Sequence, residues 1–177
     1  MPAPYTVVLA TATVSGSAAS SIQFTSIDQN YAHLMIIGSL RSTRSAAASS
    51  IGCYVNADTN TANYDYARNY YYSALGSNYN RDGGSAYIIG YCPAASTPSG
   101  TFGTVDMFIA NYASSGRHYM GAKTGHGDSV TVGNSRYAHT GVQHAVSTTI
   151  STLTFTDTDG GNFDVGSTLT LLGLKDS

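Results

Sequence analysis

The chain has 177 residues, with ten acidic side chains, eight lysines and arginines, and a formal net charge of −2. That length makes one domain with a sizeable core, and a pI near 6.1 without any basic run argues against a nucleic-acid groove. Charged residues make up only 10%, against about a quarter in ordinary soluble domains, so hydroxyls, amides, tyrosines or other subunits must cover the surface.

Glutamate is absent, and lysine occurs only at Lys123 and Lys175. Both residue types commonly fill exposed helix positions, whereas Ser, Thr, Gly, Asn and Tyr abound here; the composition is that of an all-β protein. Met1 to Tyr5 carry neither a positive start nor a long apolar run, so neither classical secretion nor membrane insertion is expected. Residues 1–5 read as a short arm leading into one domain over 1–177, with no linker and no internal repeat.

In chain order, Tyr5–Val14 alternates as a first strand, and Ile22 and Phe24 begin a short second one, with Ile27 following. Tyr31–Arg41 holds the most apolar run. An extended chain puts Leu34, Ile36 and Leu40 on one face, with Gly38 between them, and Met35 and Ile37 on the other. Apolar residues on both faces of its middle predict a central strand covered on both sides for part of its length. Ser42–Ser50 reads as a loop; Ile51, Cys53 and Val55 read as a strand. Tyr64–Leu75 places Tyr64, Tyr66, Arg68, Tyr70 and Tyr72 on one parity, a ladder in any extended conformation.

Asn78–Gly84 reads as a loop, Tyr87–Cys92 as a strand and Pro93–Gly100 as a loop. Phe102–Asn111 is the clearest amphipathic strand, with Val105, Met107 and Ile109 opposite Asp106 and Phe108. Arg117–Lys123 returns, and Gly125–Asp128 turns. Further strands are expected near Ser129–Val132 and Tyr137–Val142. Ile150, Leu153 and Phe155 lead to the Asp157–Asn162 hairpin signal, and Ser167–Leu174 is the last strand. About ten short strands at this spacing predict a single antiparallel β-sandwich, jelly-roll-like.

Catalytic signatures are weak. Gly116–Thr124 approximates a phosphate loop, but Ala122 intrudes before Lys123 and Thr124 and no helix pattern follows. The histidines His33, His118, His126, His139 and His144 have no zinc-protease spacing, and His139 and His144 fall on opposite faces of a strand. Asp157, Asp159, Asn162 and Asp164 gather oxygens around a glycine-rich turn, as calcium would require. Asp, Asn and Gly are also the ordinary turn residues, so these carboxylates, with Asn56, Asp58 and Asn60, are read as structural and no metal or cofactor is expected. Cys53 and Cys92 lie in different strands and read as buried thiols. The ladder Tyr64, Tyr66, Arg68, Tyr70 and Tyr72 is the candidate contact surface, for glycan or for a subunit interface.

Several segments together resemble a family of small phage structural proteins. They are Ile22–Ile27 with Tyr31, His33, Leu34, Gly38 and Arg41; Asn56 and Asp58 with Asn63 and Tyr64; Phe102, Gly103, Asp106, Ile109, Asn111 and Tyr112; and Ile150, Leu153, Gly161–Phe163, Gly166 and Ser167, ending at Leu172–Leu174. Leu172 stands where the family has an aromatic residue, and Arg117–His144 follows the pattern poorly. The resemblance implies a jelly-roll-like sandwich made in the host cytoplasm and displayed on the virion surface. It further implies a non-enzymatic capsid decoration protein or head-fibre knob, a homotrimer held to the major capsid protein or to a tail component. The alternatives are a receptor-binding tail-tip or short tail-fibre protein recognising host glycan, and a free carbohydrate-binding module. A glycan hydrolase would need two flanking carboxylates, and only aspartates, most of them in turns, supply them.

Overall fold

Runs of alternating apolar and small polar residues, cut by Gly, Asn and Asp, give strands rather than helices. The computed structural model describes residues 5–72, 76–83, 87–127 and 135–175, and these contain no α-helix. The strands are β1 (Thr6–Thr13), β2 (Ser21–Phe24), β3 (His33–Leu40), β4 (Ala48–Val55), β5 (Tyr64–Tyr72), β6 (Gly76–Gly83), β7 (Ile88–Pro93), β8 (Gly103–Ala110), β9 (His118–Gly127), β10 (Ser135–His144), β11 (Leu153–Asp157) and β12 (Thr168–Leu174). A single 3-10 turn, Thr61–Asn63, precedes β5.

Two antiparallel sheets pack together. The larger runs β1-β12-β3-β8-β9-β10-β5-β6 and the smaller β2-β11-β4-β7. First and last strands pair, β1 with β12, and the pairing then nests inward: β2 with β11, β3 with β8, β4 with β7. The chain is thus wound as one long folded ribbon. β9, β10, β5 and β6 extend the large sheet beyond β8.

The core lies between the sheets. Leu34, Ile36, Leu40, Val105, Met107, Ile109, Leu169 and Leu171 face Ile51, Cys53, Val55, Ile89, Leu153 and Phe155, with Tyr112, Ile150 and Phe163 closing the gaps. β8 alternates between buried and more exposed residues along its length, as one covered face demands. Gly38 sits where β3 and β12 approach so closely that a Cβ would strike the Thr168 carbonyl. Gly90 makes a second close approach. Its partner is Ile51 while Gly52 pairs with Ile88, which leaves Ile89 as a bulge, and a Cβ on Gly90, at φ +155°, would run into Thr124 of the opposite sheet.

Several expectations need correction. β3 is covered less on its second side than expected: Leu34 and Ile36 are fully enclosed, Met35 is half-buried, and Ile37 is 38% exposed, because no layer of described residues lies over the outer face of the large sheet. Asn78–Gly84, expected as a loop, lies largely within β6, whose pairing to β5 overrides its turn-like composition. Gly125 is no turn residue, since β9 continues to Gly127. The Asp157–Asn162 signal does not close a hairpin: β11 and β12 belong to different sheets, and the chain crosses between them through buried Phe163, which bridges to Ala19 and Ser42. The expected strand at Ser129–Val132 lies outside the described residues.

Candidate functional site

The tyrosine ladder does form, with its shared parity, but it points inward. Tyr64, Tyr66 and Arg68 are buried, while Asp65, Ala67 and Tyr71 on the other parity are exposed. As a contact surface for glycan or partner, Tyr64, Tyr66 and Arg68 are out of reach; this corrects the sequence expectation. The reason is the amphipathic logic of β5: Asp65 and Asn69 go to solvent, so the aromatic parity goes in. Tyr70 is half-buried, and the side chain of Tyr72 lies outside the described residues.

What the ladder builds instead is an aromatic box. The Arg68 guanidinium carbon lies 4.8 Å from the Tyr91 ring centre, 5.4 Å from Tyr66 and 5.6 Å from Tyr70. Tyr91 comes from β7 across the sandwich, so the cation joins the two sheets through ring faces. Arg68 Nε and Nη1 have no hydrogen-bond partner among the described residues. Tyr91 is itself raised above the usual phenol range by burial, which outweighs the opposing pull of Arg68.

Below the box, the β10 end holds a polar knot. His144, enclosed, stacks on Tyr64 at 4.8 Å and meets Asp58 Oδ2 at 3.0 Å through Nε2. Asn63 Nδ2 donates to the same oxygen at 2.8 Å and the Asn60 N–H to the other at 2.9 Å. Burial would push the Asp58 carboxyl up, but these donors outweigh it and hold it below the usual range. Tyr64 donates to the Asp58 carbonyl and accepts from the Val55 N–H. Asn56, in a left-handed conformation at φ 51°, accepts from the Ser151 and Thr152 amides and donates to the Thr149 carbonyl. These residues knit a loop.

The turn carboxylates are engaged in the same way. Asp157 accepts from Ser42 and Ser49 hydroxyls, Asp159 from the Ser50 amide and Arg44, and Asp164 pairs with Arg41 at 3.3 Å. No group of three or more potential metal-binding side chains gathers among the described residues. Cys53 and Cys92 are buried free thiols; burial drives both well above the ordinary thiol range. The phosphate-loop-like stretch is β9, with His118, Met120, Ala122 and Thr124 turned into the sandwich.

The concave feature lies on the opposite side, on the outer face of the large sheet. Phe108, Gly121, Gly141 and Ala67 stand in register on β8, β9, β10 and β5. Three of these four positions carry one side-chain carbon or none, so the row is a trough. It encloses about 650 Å³ and is lined also by Asp65, Tyr119 and Gln143. One wall is the in-register row Tyr119–Gln143–Asp65. Phe108 and Tyr119, 41% and 64% exposed, stand at one end. Sequence reasoning missed this site; its signal was two glycines, Gly121 and Gly141, inside strands rather than at turns.

Fold and surface together define an antiparallel β-sandwich protein whose large sheet has a broad outer face left uncovered by the described residues. No family model matches the chain, and a search of curated proteins finds no match.

Proposed function

We propose that the protein is a non-enzymatic structural protein of a phage particle surface, serving as capsid decoration or head-fibre knob. The observation that carries the reading is the nested strand order. Setting aside the two added pairs β5-β6 and β9-β10, the order β1-β12-β3-β8 against β2-β11-β4-β7 supports a jelly-roll reading, an architecture of viral capsid domains and of lectins. The resemblance of Ile22–Ile27, Asn56–Tyr64, Phe102–Tyr112 and Ile150–Leu174 to small phage structural proteins supports the same conclusion. The tying of Asp157, Asp159 and Asp164 to serines, amides and arginines supports a structural part for those carboxylates. Labelled antibody on intact particles, viewed by electron microscopy, tests the proposal. Regular labelling over the head is expected, labelling confined to the tail tip would move the protein to the receptor-binding reading, and particles free of label would overturn the virion assignment.

A further inference from the structure

We propose that the trough across the outer face of the large sheet binds a short neutral oligosaccharide. The inference concerns a ligand rather than a position on a particle, and it does not depend on where the protein is carried. Its starting point is the floor. Glycine weakens a strand, and inside one it commonly marks close approach by a ligand or another backbone. Gly38 and Gly90 are explained within the chain, since a Cβ at either would collide with a neighbouring strand. Gly121 and Gly141 are not: a Cβ at either would meet nothing within 4 Å. The space they leave open faces outward.

The chemistry of the walls selects the occupant. The floor runs from β8 to β5, three interstrand steps or roughly 14 Å, enough for a chain of a few sugar rings. At one end Phe108 and Tyr119 present exposed rings, against which the C–H face of a pyranose can stack. Along one edge Gln143 and Asp65 offer donors and acceptors for hydroxyls. A site of this size, mostly apolar with a few polar groups placed around it, has the form of a small-molecule pocket. Asp65 is the one charged side chain among the residues that line the trough, so an anionic ligand is not favoured. An extended peptide adding as a strand is excluded by position: β8, β9, β10 and β5 are each hydrogen-bonded to a strand on both sides, which leaves no free backbone edge at the floor.

The test uses the whole chain. Chitotriose and maltotriose are titrated by calorimetry and by saturation-transfer NMR, with trigalacturonate as the charged control, against wild type, Gly141→Val and Tyr119→Ala. At least one neutral trisaccharide should bind the wild type, and each variant should weaken that binding by about tenfold or more. Gly141→Val fills the floor, and its thermal midpoint should match or exceed that of wild type, since valine suits a strand and the added atoms enter open space. Should it nevertheless unfold, the largely exposed Tyr119 position decides alone. The proposal is overturned if neither neutral sugar binds, if binding survives in the folded variants, or if trigalacturonate binds best. It is overturned equally if Gly141→Val dissociates an oligomer while leaving sugar binding intact, which would make the face a contact between copies. Sugar binding and particle labelling are separate measurements, so the failure of one is distinguishable from the failure of the other.

Discussion

Leu34 and Ile36 are fully enclosed and Ile37, next in the chain, is 38% exposed, so one short run offers a graded test of burial. Leu34→Ala or Ile36→Ala should cost about 2–5 kcal/mol by leaving a cavity, whereas Ile37→Ser should cost about 1 kcal/mol or less. Equal losses in denaturant melts would contradict the uneven cover of β3. Asp58 gives a pH test. Its carboxyl is depressed in the folded protein, so the stabilisation it brings is present above the unfolded carboxylate value near ~3.9 and fades as pH falls through the lower folded value. Asp58→Asn should therefore be less stable than wild type by about 1 kcal/mol at neutral pH. The two should converge once the pH falls below the depressed folded value, and a gap that persisted there would show that Asp58 acts by shape and not by charge.

At the scale of elements, the crossings between sheets depend on buried polar anchors more than on strand pairing. Arg41 follows β3 and is 6% exposed. It donates to Thr97 Oγ1 and to the carbonyls of Thr97, Pro98 and Thr101, and it pairs with Asp164. One guanidinium thus holds the loop after β7 against the crossing from β11 to β12. Arg41→Ala should cost about 2–3 kcal/mol, visible as a lower thermal midpoint and faster proteolysis within the 94–101 loop. The same crossing bears on calcium. Asp157, Asp159 and Asp164 already accept from protein donors, so neither calcium nor a chelator should move the thermal midpoint. A reproducible rise with calcium that Asp159→Ala abolishes would reverse this assignment.

For the whole molecule, the sparse charge and the uncovered outer face point to assembly. Beyond the trough, Val8, Ile37, Tyr71 and Tyr137 are all exposed on a chain with only 10% charged residues. Little electrostatic repulsion keeps copies apart, and aromatic residues suit interfaces. A closed symmetric oligomer is the expected outcome, with the trimer number taken from the phage resemblance. Light scattering at micromolar concentration should report a mass near three chains. Changing Tyr71 and Tyr137, whose rings lie 6.3 Å apart, to Ser tests whether that end of the face takes part. A monodisperse monomer that does not bind particles lacking the protein would remove the assembly proposal and favour a free sugar-binding module.

Local chemistry was enough to determine the class. Absent glutamate, scarce lysine and period-two alternation give an antiparallel β protein, and parity alone sorts Leu34 from Met35, Val105 from Asp106 and His139 from His144, because a strand leaves a side chain only two directions. Which direction is inside was legible in β8, where the outward parity carries Asp106, but was misjudged in β5, where tyrosines suit a surface as well as a core. Tertiary structure decided the rest. The Asp157–Asn162 turn looks the same whether the next strand pairs back or crosses to the other sheet, since turn residues fix a bend and not its destination. The trough needed four strands from two separate stretches of the chain, β5 and β8 to β10, in one register. Gly121 and Gly141 are twenty residues apart in sequence and become neighbours only through the β9–β10 ladder, and no periodicity along a single strand encodes that alignment.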